Sequence, residues 1–392
     1  MATGNTSLRA LAWIELNMLN FADVLPLRGA VMEREPTDVY DLNGEPLFQR
    51  FPIDLPQGVG FVDVAADPRL GAPLVAVSAS GEWSEGALLH QATAAFGARF
   101  PGKAFDSARF VAFSFPKIAV QFLSYGEEIA LLELFTWEPV PPACQRPTGE
   151  PPANFDRWSF LDELDPGAAR TRRSRFTKRV AELEPIIAEL DGEGFSKIER
   201  RLLESRSGSP RPTARGRSRA RLSSTTPIRS ETREVRPSYE VRGQQTNVWC
   251  VPASVQMLLD FYHHEQEQTR IATELGLGTL SKPRPLPVLR EAAVLGAIGD
   301  LTRNALNATT RPAPNWSYFR SQINANRPMI SFILGHSRMV AGYTISNVYA
   351  ISPFRGLLVL DPWPPRSGVV TRWENFVVPT HTRAYTAHVT PV

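Results

Sequence analysis

Cysteine, histidine and long apolar runs are scarce in this sequence. Its 392 residues include only two cysteines, Cys144 and Cys250, and six histidines. Two cysteines cannot supply the disulfide framework of a small secreted domain, so we expect a reducing compartment. No stretch reaches the ~18 uninterrupted apolar residues of a membrane-spanning helix. Glu15, Asn17 and Asp23 break the apolar N-terminus, which argues against a secretory signal. We therefore expect a cytoplasmic protein with no membrane partner, although the sequence leaves export by a signal-less route open.

Positive charge is concentrated in one segment. The formal net charge is only +3, and apolar residues make up 43% of the chain, enough for sizeable cores. Nine arginines and two acids lie between Arg206 and Arg236. Residues 205–237 nearly lack large apolar side chains, so burial cannot offset their ordering entropy. We interpret 205–237 as a flexible linker. It also lacks the aromatic residues that stack on single-stranded nucleic acid, so nucleic acid is not an expected partner.

The pattern of residues 1–140 predicts a separate α+β domain. Residues 38–53 are typical of two strands joined at Asn43-Gly44, because both turn positions tolerate positive φ. A helix is predicted over 84–100, and one helix lying on a meander of strands would bury the apolar faces. The proline-rich stretch from 139 to 152 ends this domain. Helical spacing of apolar residues then predicts a helical connector over 153–204.

Cys250 occupies a chemically favourable position in the last domain, 238–392. Apolar residues recur at helical spacing after Cys250, and Pro252 fits the first turn of a helix that begins there. Unpaired N–H groups and the positive end of the helix dipole stabilise a thiolate at such a position. The predicted helix therefore prepares Cys250 to act as a nucleophile.

Three other residues could complete a catalytic centre with Cys250. His336 begins a β run, and Asp361 ends an apolar strand, so the two could converge on one cleft. Asp361 would then accept a hydrogen bond from the imidazole and fix its tautomer. Gln244 lies six residues before Cys250 and could donate to a developing oxyanion. A one-residue shift of this loop would give that role to Gln245 instead.

The order Gln244, Cys250, His336 and Asp361 resembles the papain clan of cysteine peptidases. The strings Gln-x5-Cys, His-x5-Gly-Tyr and Asp-Pro-Trp resemble its bacterial branch, which includes bacteriocin-leader-processing peptidases and effector proteases. The resemblance covers residues 239–392 and implies a helical part plus an antiparallel sheet. It also implies Cys250 as nucleophile, His336 as base, Asp361 as orienting residue and Gln244 as oxyanion residue. A peptide or protein substrate and no cofactor follow from the same likeness.

Other interpretations of these residues remain open. A lone cysteine is often simply a small buried side chain, and Asp361-Pro362 alone is typical of a turn. The same triad could serve acyl transfer or deamidation, or a degenerate domain could be retained for binding. The string His263-His264-Glu265 does not indicate a metal site, because adjacent helical residues point about 100° apart.

Residues 88–123 resemble PepSY-like modules, which accompany peptidases and are thought to restrain them. This resemblance implies an autoinhibitory N-terminal domain held near the active site by the linker. We hypothesise that cleavage between Arg206 and Arg236 releases or activates the peptidase. The alternative is a domain that binds a substrate or partner without regulating the peptidase.

Overall fold

A computed structural model describes residues 5–21, 30–33, 35–56, 58–79, 83–142, 157–193, 229–287, 293–347, 353–365 and 370–390. The α-helices in these ranges are α1 (Asn5–Phe21), α2 (Glu85–Arg99), α3 (Pro166–Glu193), α4 (Cys250–Phe261), α5 (Gln268–Glu274), α6 (Ala293–Leu301) and α7 (Trp316–Asn324). The strands of the first half are β1 (Val31–Met32), β2 (Thr37–Asp41), β3 (Pro46–Leu55), β4 (Gly58–Ala65), β5 (Leu74–Ser78), β6 (Ser107–Ser114), β7 (Lys117–Ser124) and β8 (Glu127–Glu133). Those of the second half are β9 (Arg229–Glu234), β10 (Gly278–Thr279), β11 (Lys282–Pro283), β12 (Leu306–Pro312), β13 (Met329–Ile333), β14 (His336–Asn347), β15 (Phe354–Asp361), β16 (Val370–Asn375) and β17 (His381–Val389).

The predicted α+β class is confirmed. Within the described ranges, 15 strands form one mostly antiparallel sheet in the order β12-β17-β13-β14-β15-β16-β5-β4-β3-β2-β6-β7-β8, with β1 beside β3 and β9 beside β14. The β2–β3 hairpin turns at Gly44, whose φ of +87° explains the glycine there. Helix α2 also forms where helical spacing predicts it, whereas α1 was not anticipated.

Strands and apolar residues of the N-terminal part contact those of the C-terminal part. Strand β5 pairs with β16, where Ser78 is opposite Arg372 and Ala76 is opposite Glu374. Leu11 of α1 lies in the same hydrophobic core as Val255 of α4. Apolar residues of both halves thus bury one another, and the sheet continues without a break between them. The divisions at 1–140 and 238–392 stay predictions about sequence units.

Parts of the predicted connector and linker pack into the same core and sheet as the rest of the described chain. Helix α3 packs Leu183 into the core beside α1, and Arg179 forms an ion pair with Glu15 at 2.9 Å. Residues 229–234, expected to be flexible, instead form β9 along the second half of β14. The pairing is reinforced by a 2.8 Å contact between the hydroxyls of Thr232 and Thr344. Residues 205–228 and 194–204 lie outside the described ranges.

None of the helices in the described ranges has the length and apolar character needed to cross a bilayer.

A cut in the predicted linker should leave the two halves of the chain associated. The test is a specific protease site inserted between Ser223 and Ser224, followed by complete cleavage. Because the β5–β16 pairing and the core around α1 do not depend on that bond, we expect both fragments to elute together in native gel filtration. The uncut variant is the control. Elution as two separate species in the same buffer would contradict a shared core.

Candidate active site

Cys250 is the first residue of helix α4, as the sequence predicts. The residue before it, Trp249, is fully buried, and its indole N–H donates to the carbonyl of Leu277 at 3.2 Å. Pro252 lies in the first turn, where its missing N–H breaks no hydrogen bond. The Cys250 side chain is buried, with 1% exposure, and is not part of a disulfide. Packing of Trp249 therefore fixes where α4 begins and holds Cys250 at its positive end.

His336 and Asp361 contact each other at the ends of neighbouring strands. The Nε2 atom of His336 lies 2.6 Å from Oδ1 of Asp361. His336 opens β14 after a turn at Gly335, whose φ is +65°, and Asp361 closes β15. Because β14 and β15 are antiparallel, the start of one strand lies beside the end of the other. The predicted pairing of these two residues is therefore present in the fold.

The start of α4 lies against the start of β14. The hydroxyl of Ser337 donates to that of Ser254 at 3.1 Å. Ser254 is one helical turn beyond Cys250, and Ser337 follows His336. Within the described residues, Nδ1 of His336 is buried without a hydrogen-bond partner. The ring nitrogen that does not face Asp361 is thus not held by another group.

The Gln244 loop lies against the same corner of the sheet. The backbone N–H of Gln244 donates to the carbonyl of Pro362, next to Asp361, at 2.9 Å. Its side-chain amide donates to the carbonyl of Thr246 at 2.6 Å, and the side chain is buried. The backbone N–H of Gln245 is instead directed to the side chain of Gln268 at 2.9 Å. Gln244 is thus hydrogen-bonded to the segment next to Asp361, whereas Gln245 is hydrogen-bonded to α5.

Burial and neighbouring charges set the protonation of the His336–Asp361 pair. Burial lowers the pKa of His336 to about 4, although Asp361 opposes this, and the positive charges of Lys117 and Arg338 lower it further. Burial alone would raise the pKa of Asp361, but attraction to His336 and Arg372 outweighs burial and holds that pKa below its ordinary value. Near neutral pH, the imidazole is therefore uncharged and the carboxylate is ionised.

Strands β6, β7 and β8 of the N-terminal part cover this site. The indole of Trp363 donates to Glu133 at 3.1 Å, and Nζ of Lys117 lies 4.9 Å from the centroid of the Trp363 ring. The side-chain amide of Asn247 donates to Glu138 at 2.7 Å. The side chains of His336 and Asp361 beside these contacts are only 0% and 2% exposed. No local sequence signal marks Lys117, Glu133 or Glu138, because their role arises only from contacts across the sheet.

Comparison with known proteins supports the resemblance to papain-like cysteine peptidases. Residues 238–385 match the model of the Peptidase_C39 like family. A solved double glycine motif protease from an AMS/PCAT transporter, in complex with its leader peptide, is similar at 14% identity. The similarity covers 40% of this chain and 99% of that one, with a TM-score of 0.28. No curated protein matches. The predicted resemblance is thus confirmed by the family match, and it is confined to the C-terminal part of the chain.

A second buried histidine, His381, lies close to the charges around the site. Its Nδ1 atom is 3.0 Å from the hydroxyl of Ser331, and its ring stacks on Phe376 with centroids 5.1 Å apart. Burial lowers the pKa of His381 to about 4; Arg338 acts in the same direction, and Glu374 opposes it. The folded state therefore disfavours protonation of this ring.

Replacing His381 with Phe should reduce the loss of the free energy of unfolding that occurs when the pH is lowered. Between about pH 6.5 and pH 4 the unfolded chain binds a proton at His381 that the folded chain does not, so the free energy of unfolding falls as pH is lowered. Phe keeps the ring packing and cannot titrate. From pH 7 to pH 5, we expect H381F to gain about 2 kcal/mol relative to the unsubstituted protein, measured by urea unfolding. The control is the same change at the exposed His90. If the free energy of unfolding of H381F and of the unsubstituted protein fell equally with pH, His381 would not be the group responsible.

Proposed function

We propose that the C-terminal part of the chain is a cysteine peptidase that hydrolyses peptide bonds in a peptide or protein substrate. Cys250 is the nucleophile, His336 the general base, Asp361 the orienting residue and Gln244 the oxyanion residue. The observation that carries the proposal is the buried 2.6 Å contact between His336 and Asp361 beside the start of α4. The match of residues 238–385 to a peptidase family supports it.

The proposed reaction begins with proton transfer from the Cys250 thiol to the imidazole. Asp361 holds the proton of His336 on Nε2, which leaves Nδ1 to accept the thiol proton. The thiolate then attacks the substrate carbonyl and forms a tetrahedral intermediate. His336 returns the proton to the departing amine, and water hydrolyses the resulting acyl-enzyme by the same sequence in reverse.

The oxyanion is proposed to be stabilised by two N–H donors. The backbone N–H of Cys250 belongs to the first residue of α4, at the positive end of the helix dipole. The amide nitrogen of Gln244 carries two hydrogens, of which one is directed to Thr246. The other is available to the developing negative charge. Each such donor contributes on the order of 100-fold to the rate in comparable sites.

Replacing Cys250 with Ala should abolish peptide hydrolysis. We expect a loss of at least about 1,000-fold in kcat, because no other group can form the acyl-enzyme. The assay is turnover of a peptide pool followed by mass spectrometry, together with labelling by a thiol-directed peptide electrophile. C144A removes the only other cysteine and serves as the matched control, with labelling and turnover retained.

The outcomes of this experiment separate the alternatives. Products of hydrolysis gain one water, whereas acyl transfer gives a conjugate and deamidation changes the mass by about 1 Da. Absence of both labelling and turnover in the unsubstituted chain, and also in the Glu138→Ala variant described below, would indicate a degenerate binding domain. Equal turnover by C250A and the unsubstituted chain would rule out the proposed nucleophile.

We also propose that the N-terminal part restrains the peptidase by covering its site. The proposal is supported by the contacts from Glu133 to Trp363 and from Glu138 to Asn247, and by the burial of Cys250. Since both halves share a sheet and a core, linker cleavage alone would not remove this cover. Substrate access is therefore proposed to require movement of the residues around Glu138 away from the Gln244–Cys250 loop.

Replacing Glu138 with Ala should increase access to Cys250. The change removes the hydrogen bond to Asn247, and partly exposed contacts of this kind contribute roughly 0.5–1 kcal/mol. We expect labelling of Cys250 to accelerate about two- to fivefold, measured under conditions where the electrophile is limiting. Glu127→Ala, at the exposed start of β8, is the control. Unchanged or slower labelling of E138A would argue for a domain without a regulatory contact.

A further inference from the structure

Arg372 fixes the second oxygen of the Asp361 carboxylate. Its Nη2 atom donates to Oδ2 of Asp361 at 2.9 Å. The other oxygen, Oδ1, accepts from Nε2 of His336 at 2.6 Å and from the backbone N–H of Trp363 at 3.0 Å. Each carboxylate oxygen therefore has its own partners, and rotation of the carboxylate would break all three contacts. Arg372 lies on β16, directly beside β15, so the sheet itself determines this arrangement.

Arg372 is itself held by a buried anion. Its Nη2 atom lies 3.3 Å from Oε2 of Glu374, which also accepts from Nη1 of Arg338 at 2.6 Å. The side chains of Arg372, Glu374 and Arg338 are 8%, 1% and 0% exposed. Charges so deeply buried are stable only when paired. With Asp361, this cluster contains two cations and two anions, so its formal charges cancel.

We propose that Arg372 is a positioning residue of the peptidase, holding Asp361 so that Oδ1 faces His336. This inference rests on the proposed function, because it assigns Arg372 a role in that reaction. A carboxylate that keeps one orientation keeps the imidazole proton on Nε2 and leaves Nδ1 as the acceptor for the thiol. Without Arg372, Asp361 can rotate, and the imidazole can turn or adopt the other tautomer, in which it cannot act as the base.

The first test compares R372M with R50M in the full-length chain. Arg50 is a matched control, because it also forms a buried ion pair on the sheet, with Asp63 at 2.7 Å and 8% exposure. Within the described part of the chain, no contact joins Arg50 to His336 or Asp361. For R372M we expect kcat to fall about tenfold while KM changes less than about twofold. R50M should keep the original kcat in the fraction that remains folded, measured by circular dichroism and urea unfolding.

R372K provides the conservative variant. A lysine ammonium can donate to one oxygen of Asp361 but cannot reproduce the fixed geometry of the guanidinium. We expect R372K to recover part of the kcat lost in R372M. If Arg372 had a purely structural role, R372M and R50M would lose activity only in proportion to the molecules that unfold. Equal activity per folded molecule in these two variants would therefore overturn the proposal.

A double-mutant cycle tests whether Arg372 acts through Asp361. In a D361N background the carboxylate is absent, so adding R372M should lower kcat by less than about twofold further. If the fold-losses in kcat of D361N and R372M instead multiply in the double variant, Arg372 does not act through Asp361 and the inference is wrong. The cycle uses hydrolysis by the full-length protein and the same peptide in all four variants.

Nitrogen NMR of the imidazole of His336 separates failure of this inference from failure of the proposed function. An unsubstituted chain with no Cys250-dependent turnover defeats the proposed function. The effect of the Arg372–Asp361 contact is then read from the nitrogen signals of His336. The unsubstituted protein and R50M should each show one tautomer, protonated on Nε2. R372M should show exchange between the two tautomers. Identical ring signals in R372M and the unsubstituted protein would overturn the positioning role whatever the activity.

Discussion

The hydrogen bond between His336 Nε2 and Asp361 Oδ1, at 2.6 Å, is the contact beside which the buried charges of Arg372, Glu374 and Arg338 are arranged. A buried carboxylate is unfavourable unless cations and hydrogen-bond donors surround it. Arg372 provides the cation for Asp361, and Glu374 in turn balances Arg372 and Arg338. The resulting cluster keeps Asp361 ionised, and burial keeps His336 uncharged, which is the state that a general base requires.

The sheet that carries this cluster also joins the two halves of the chain. Strand β16, which bears Arg372 and Glu374, pairs with β15 on one side and with β5 of the N-terminal part on the other. The N-terminal half therefore pairs directly with the strand that carries Arg372 and Glu374 and does not merely lie over it. Separation of the halves would expose both a shared core and an edge of β16. Complete release of the N-terminal half would thus break more contacts than a local movement of the residues around Glu138.

Trp363 connects Asp361 to strands of the N-terminal part. Its backbone N–H donates to Asp361, while its indole donates to Glu133 and its ring contacts Phe113 and Lys117. One residue thus takes part both in orienting the carboxylate and in holding the N-terminal strands in place. The backbone of Trp363 thus contacts Asp361, and its side chain contacts the N-terminal part.

The sequence alone determined the features that depend on local chemistry. The turn at Asn43-Gly44 and the helix beginning at Cys250 follow from backbone preferences and apolar spacing, and the family resemblance follows from short motifs around Cys250 and His336. Tertiary structure alone decided that β5 pairs with β16, that residues 229–234 form a strand, and that Arg372 binds Asp361. These contacts join residues whose local sequence gives no indication of a partner. Strand pairing and buried charge pairing depend on which distant segments meet, and that is settled only when the whole core is packed.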